Sequence, residues 1–252
     1  MNVVCIIPAR YHSTRLPGKP LKKLGGIPMI QLVWQQAVKA FGADSVYVAT
    51  DHPLIQSAVQ KAGGMVIMTE EQLTSGTDRV AAAARSLPAE VVINLQGDEP
   101  FIDPELLKKL AKVFEDDEIY MATPIARIKN NEDLTNPNLV RVTRDAQDFA
   151  LYFTRSVIPF IRDKADQNQW LNHCRFFKHI GIYAYRNEFL QKVTRLPRGY
   201  LEQAEQLEQL RVLESGFKIY TIETEYHSLS VDTQADLDII NHKLENGKIT
   251  IE

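Results

Sequence analysis

The chain has 252 residues, 44% of them hydrophobic and 24% charged, with a formal net charge of −3. That is enough apolar material for one large core or two small ones, and the mild acidity excludes a general polyanion-binding surface. Two cysteines, Cys5 and Cys174, are too few for a disulfide framework or a paired-cysteine zinc site, and no apolar run nears the roughly 18 residues of a membrane span. The start, Met1–Ile7, lacks a basic lead and has only a short apolar stretch, so no signal peptide is expected, and a reducing, cytoplasmic setting is the natural one.

In chain order, Val3–Pro8 is a β-branched run that reads as a buried strand. Residues 9–28 carry Pro17-Gly18, Pro20, Gly25-Gly26 and Pro28, which is loop chemistry. Met29–Phe41 has helical spacing. Ser45–Thr50 is a strand, Pro53–Ala62 a helix stopped by Gly63-Gly64, and Met65–Met68 a short strand. Ser75-Gly76-Thr77-Asp78 supplies a cap ahead of helix Val80–Arg85, Glu90–Leu95 is an apolar strand, and Pro104–Phe114 a helix. Strands alternating with helices predict βαβ units and a parallel sheet. Further on, Met121–Ile128, Leu139–Thr143, Phe149–Phe153, Ile180–Tyr185 and Phe217–Glu223 read as strands, and Leu201–Ser215 and Thr233–Leu244 as helices. Residues 154–177 have no periodicity and suit a lid, an insertion or an interface. No repeat or linker divides the chain, so one domain with an elaborated second half is expected.

Charge is unevenly placed. Residues 1–43 hold six basic residues and no acid, and the other 209 hold 23 basic against 32 acidic residues. An acidic chain with a basic leading segment points to one dedicated anion site. The loop after the first strand places Arg10, Arg15 and Lys19 beyond a strand's carboxyl end, where ligands bind in open α/β sheets. Ser13 and Thr14 add hydroxyls and Gly18 allows close backbone approach, so a nucleoside triphosphate is the expected guest. Lys19 is followed by Pro20, which excludes a Walker A loop, and no GxGxxG motif is present.

Asp98, in Gln96-Gly97-Asp98-Glu99-Pro100, follows an apolar strand and suits either a turn or a hard-cation ligand. Asp232, before Thr233, reads on pattern alone as part of a helix cap. Glu202, Glu205, Glu208, Gln209 and Arg211 read on periodicity alone as a solvated helical face. The six histidines show no zinc spacing, and nothing marks a serine or cysteine nucleophile.

Taken together, IIPARYHSTRLPGKPL (6–21), VATD (48–51), SGTDR (75–79), NLQGDEP (94–100), ALYFTR with the following SVIP (150–159), HIGIYAYR (179–186), LEQLRVLESG (207–216) and VDT (231–233) resemble the 3-deoxy-manno-octulosonate (Kdo) cytidylyltransferases. The resemblance spans nearly the whole chain. It implies an α/β fold, a nucleotide-diphospho-sugar transferase-like three-layer sandwich with a mixed, mainly parallel sheet. Residues 1–252 would form a single cytidylyltransferase domain, with about 120–252 serving sugar binding and dimerisation. The implied reaction is CTP plus Kdo to CMP-Kdo plus pyrophosphate with Mg²⁺, for lipopolysaccharide biosynthesis, by a cytoplasmic homodimer that neither binds nucleic acid nor enters the membrane. Arg10, Ser13, Arg15 and Lys19 would hold the triphosphate, with Ser75, Gly76, Thr77, Arg79 and Gln96 near the nucleoside. Asp98 and Asp232 would hold the metal and, with Lys19, form the catalytic set. Arg155, His179, Tyr183, Glu208 and Gln209 would line the sugar-acid pocket, with Arg162 assisting. An 8-amino-Kdo or another acid sugar is the alternative substrate, and a nucleotide-binding sensor is the non-enzymatic alternative.

Overall fold

The computed structural model describes residues 1–13 and 15–251, which leaves Thr14 outside the described residues. The chain divides into two compact units: residues 1–112 with 228–252, and residues 113–227.

The first unit opens with β1 (Val3–Ala9), whose apolar run is buried almost throughout. The loop that follows contains β2 (Lys23–Leu24) and β3 (Ile27–Pro28), a two-residue antiparallel pair turned by Gly25 and Gly26 at φ 55° and 86°. Next come α1 (Met29–Phe41), β4 (Val46–Thr50), α2 (Pro53–Lys61), β5 (Met65–Met68), α3 (Gly76–Ala84), β6 (Val91–Asn94) and α4 (Pro104–Lys112). The strands lie in the order β5-β4-β1-β6, all parallel, with Ala9 opposite Thr50 and Ile6 opposite Asn94. The predicted βαβ pattern is therefore realised. The carboxyl ends of β1 and β6 are neighbours, so the loops at 10–20 and 95–99 leave the sheet side by side.

The second unit contains β7 (Met121–Arg127), α5 (Asn131–Thr135), β8 (Arg141–Arg144), β9 (Ala150–Thr154), β10 (Phe177–His179), β11 (Tyr183–Arg186), α6 (Asn187–Val193), α7 (Tyr200–Glu205), α8 (Leu210–Glu214) and β12 (Tyr220–Thr224). β12 runs parallel to β7 along one edge, while β10 and β11 lie end to end, antiparallel, along the other. β8 pairs with β10 and β9 with β8, both antiparallel. Of the strand predicted at Ile180–Tyr185 only Tyr183–Tyr185 is strand, as part of β11; β10 lies ahead of the predicted span, and Ile180–Ile182 is a break. The cause is Pro124 in β7. It has no N–H to give to that edge, and its carbonyl accepts from Ile180 N at 3.0 Å.

The helix predicted at Leu201–Ser215 is also broken, by Gln206 in the left-handed conformation at φ 55°. In one continuous helix, Glu202 and Arg211 would stand about 13 Å apart along the axis. The break folds α8 back, so that Arg211 pairs with Glu202 in a two-pronged, buried contact, with Nε to Oε2 at 2.8 Å. Glu214 accepts from the N–H groups of Leu201 and Glu202, capping α7, and its carboxylate fills the space a Cβ at Gly199 would need. The aperiodic segment 154–177 forms its own small core, with Trp170 and Phe176 stacked and packed on Ile128 and Leu134.

The chain then returns to the first unit with α9 (Gln234–Glu245). Val231, Leu237 and Ile240 pack with Leu16, Leu24, Met29 and Leu32. Among the described residues no helix is long and apolar enough to cross a membrane.

Candidate active site

The basic loop after β1 is held at several points. Gly18, at φ 66°, returns its N–H to the Tyr11 carbonyl, and Lys19 begins a short 3-10 turn with Pro20 behind it. Tyr11 stacks face to face on His52, with ring centroids 3.9 Å apart. His52 caps α2 by accepting from Leu54 N through Nδ1. Arg10 donates to the Thr74 carbonyl at 2.9 Å, which ties the loop to the segment entering α3.

Two carboxylates meet this loop. Asp98 leaves β6 through Gly97, whose missing Cβ keeps clear of the Pro8 carbonyl. Glu99, its neighbour, turns inward, is buried, and accepts from the Ser228 hydroxyl. The cap of α9 is Thr233, with Asp236 completing a reciprocal capping box, so Asp232 is not needed as a cap. Its carboxylate instead accepts from Lys19 Nζ at 2.8 Å and from Arg15 Nη2 at 2.9 Å. The same Lys19 ammonium donates to Asp98 Oδ2 at 2.6 Å. Lys19 therefore bridges two carboxylates that are 134 positions apart in sequence. Arg10, Ser13, Arg15, Lys19, Gln96, Asp98 and Asp232 all line one cavity of about 360 Å³.

The remaining nucleoside-side candidates are placed differently. Ser75 caps α3 by accepting from Asp78 N at 3.0 Å. Gly76 lies beside Pro8 and the Gln96 amide, at distances where a Cβ would make ordinary contacts, and Thr77 is buried. Gln96 donates to Asn94 Oδ1 at 3.0 Å. Arg79 is fully buried, paired with Asp51 at 2.7 Å and with the Thr69 hydroxyl. Burial lowers its pKa and Asp51 opposes that shift. It fastens α3 to the ends of β4 and β5, and it does not line the cavity.

In the second unit, His179, Tyr183 and Glu208 are gathered. The His179 and Tyr183 rings lie 5.2 Å apart, and Phe153 meets His179 edge to face. Thr123, buried in β7, donates its one hydroxyl proton to the Ile180 and Ile182 carbonyls. It lies 3.0 Å from His179 Nε2, so it accepts the imidazole N–H there. Desolvation holds the His179 pKa down at about 3, leaving a neutral ring, and desolvation with Tyr185 and Glu208 raises that of Tyr183. Gln209 is buried and its Nε2 has no hydrogen-bond partner among the described residues. Glu208 and Gln209 lie at the break between α7 and α8 and not on a solvated helix. Arg155 is exposed and donates to the Asn138 carbonyl at 3.2 Å, and Arg162 is exposed. Sequence reasoning missed Thr123 as the residue that orients His179. Its signal is a lone hydroxyl beside a proline in an otherwise apolar strand.

A cytidylyltransferase family pattern matches residues 4–219. The chain is 42% identical over 252 residues to the 3-deoxy-manno-octulosonate cytidylyltransferase of Trichlorobacter lovleyi, covering 98% of this chain and 100% of that one. It is 45% identical to the Cytophaga hutchinsonii protein of the same name, covering 96% and 97%. A solved CMP:2-keto-3-deoxy-manno-octonic acid synthetase complexed with CTP superposes with a TM-score of 0.90 at 41% identity, covering 99% of this chain and 100% of that one. A cytidylyltransferase from Leptospira borgpetersenii, 18% identical with a TM-score of 0.64 over 100% of this chain and 91% of that one, shares the fold. With the mixed α/β nucleotidyltransferase fold and this identity along its whole length, the chain belongs to the 3-deoxy-manno-octulosonate cytidylyltransferases, a nucleotidyltransferase family.

Proposed function

We propose that the chain transfers CMP from CTP to Kdo and releases pyrophosphate, using the cavity around Lys19 for the triphosphate and metal and the His179 cluster for the sugar acid. The observation that carries this reading is the convergence of Asp98 and Asp232 on one cationic centre beside Arg10, Ser13 and Arg15. The donor set fits a hard divalent cation such as Mg²⁺: two carboxylates share one cation position, and water and phosphate oxygens would complete the shell. When bound there, such an ion supplies electrostatic stabilisation of the phosphoryl charge.

The chain's own residues do the positioning. Arg10, Arg15 and Lys19 hold the triphosphate, and Ser13 adds a hydroxyl. Gln96, fixed by Asn94, faces the nucleoside, with Ser75, Gly76 and Thr77 shaping that side and Arg79 acting through the scaffold. Arg155 meets the sugar carboxylate, Glu208 and Gln209 its hydroxyls, and His179 and Tyr183 form the wall. The unpartnered Gln209 Nε2 supports this, since a buried donor gains from a ligand acceptor. The bond from the anomeric oxygen of Kdo to the α-phosphorus forms as the bond to the bridging oxygen of pyrophosphate breaks, the hydroxyl proton passing to solvent, and alignment and charge neutralisation supply most of the rate.

The test is pyrophosphate release from CTP with Kdo, 8-amino-Kdo and a sialic acid in parallel. Release with Kdo is expected. Release with the amino sugar alone would move the specificity, and silence with all three from a folded, CTP-binding chain would leave a sensor. The homodimer and cytoplasmic setting belong to the same proposal, and light scattering of the purified chain tests the former.

A further inference from the structure

We propose that Lys19 is the resident counter-cation of the carboxylate pair, keeping Asp98 and Asp232 closed to a divalent cation until a nucleotide triphosphate draws its ammonium away. The inference rests on the metal reading above and adds an order of loading, with the nucleotide arriving before or together with the ion.

The argument is one of position and charge. Lys19 Nζ lies 2.6 Å from Asp98 Oδ2 and 2.8 Å from Asp232 Oδ1, on the two carboxylates that would hold an incoming ion. Arg15 holds the Asp232 oxygen a second time, at 2.9 Å. Two cations face two carboxylates, so the cluster is neutral as it stands. A lone divalent cation arriving there gains no net attraction and meets an ammonium at short range. The Lys19 side chain is only 14% exposed, so its contacts are weakly screened, whereas Arg15 is 65% exposed and the weaker guard.

A triphosphate changes this balance. Arg10, Ser13, Arg15 and Lys19 line the same cavity as the carboxylates, so phosphate oxygens offer Lys19 and Arg15 competing partners within that space. A lysine suits the exchange, because its ammonium is a point charge on a flexible stem. Its backbone does not need to move: Gly18, the Lys19–Leu21 turn and the Tyr11–His52 stack hold the loop while the side chain swings. Two bare carboxylates beside bound phosphates then form a site of strongly negative charge. Nucleotide and ion affinities are thereby coupled, each strengthening the other by the same factor.

The test is Mn²⁺ titration, followed by the electron paramagnetic resonance of free Mn²⁺, on the intact chain without sugar. The wild-type chain alone is expected to bind Mn²⁺ weakly and to gain a tight site when CTP is added. Without nucleotide, Lys19→Met should bind Mn²⁺ about ten-fold or more tightly than wild type, and Arg15→Ala should gain less. Adding Asp98→Asn to Lys19→Met should remove the gain. Lys19→Gln serves as the second variant should Met at this position disturb folding, and circular dichroism checks both. If the Lys19 variants bind Mn²⁺ no better than wild type while CTP still creates an Asp98-dependent site, the guarding role is overturned and the metal reading stands. If tight Mn²⁺ binding to the wild-type chain needs no nucleotide, the order of loading is overturned. If no chain shows an Asp98-dependent site even with CTP, the metal reading falls and this inference with it.

Discussion

Around Lys19 the side chains carry full charges and stay partly open to solvent, whereas around His179 neutral rings held by aromatic and hydrogen-bond contacts stand beside a single carboxylate, Glu208. The first arrangement stands on loops leaving a parallel sheet. The second stands at two breaks, one in a strand opposite Pro124 and one in a helix at Gln206. Charge on flexible stems suits phosphate and metal, which are strongly charged and must be let go after each turnover. Under the proposed function, a wall of rigid, largely neutral groups suits a polyhydroxylated sugar, where discrimination comes from leaving a wrong ligand's partner groups unpaired.

Three substitutions sharpen or break this contrast. The largest effect is expected from Asp98→Asn, which should cut pyrophosphate release about 10²–10³-fold or more while leaving the unfolding midpoint nearly unchanged, since the carboxylate is not part of the core. Near-normal turnover would take the metal role away from the Lys19 region. Next, Arg211→Met should destabilise the fold by about 3–5 kcal/mol in urea unfolding, because it removes the two-pronged partner of the buried Glu202 carboxylate and leaves it only the longer contact with the exposed Arg198. A loss below about 1 kcal/mol would show that the second region does not lean on this pair.

The third effect concerns pH and is confined to acid conditions. The folded-state pKa of His179 is depressed to about 3, below the unfolded value near 6.5. Between those values the unfolded chain binds the extra proton, so this residue makes stability fall as pH drops from 6.5 towards 3 and contributes no slope above that window. His179→Gln should flatten the pH dependence of the urea midpoint there, and an unchanged slope would mean the ring is not desolvated as described.

The first region was largely legible in sequence. A β-branched run ending in a proline, followed by Arg10, Arg15 and Lys19 without a single acid, places these cations on a loop beyond a strand's carboxyl end because local pattern and sheet topology agree. Asp232 was not legible from pattern, since aspartate before threonine suits capping equally well; only the box between Thr233 and Asp236 shows which residue caps. The second region hid its geometry because tertiary pairs overrode periodicity. Glu202, Glu205 and Glu208 follow helical spacing, yet the Glu202–Arg211 pair requires a reversal at Gln206, nowhere marked by glycine or proline. Arg79 was placed beside the nucleoside by motif, and its full burial against Asp51 gives it a part in the scaffold instead.

Asp232 lies beyond the whole of the second unit in the order of synthesis. On the ribosome, β1, its basic loop and Asp98 emerge early, but the partner carboxylate follows only after residue 227 has been made. A nascent chain therefore carries an exposed anion loop with half of its acidic complement through most of translation. A chain cut short anywhere before Asp232 is therefore incapable of assembling the pair on which the proposed function rests, however well its first strands have folded.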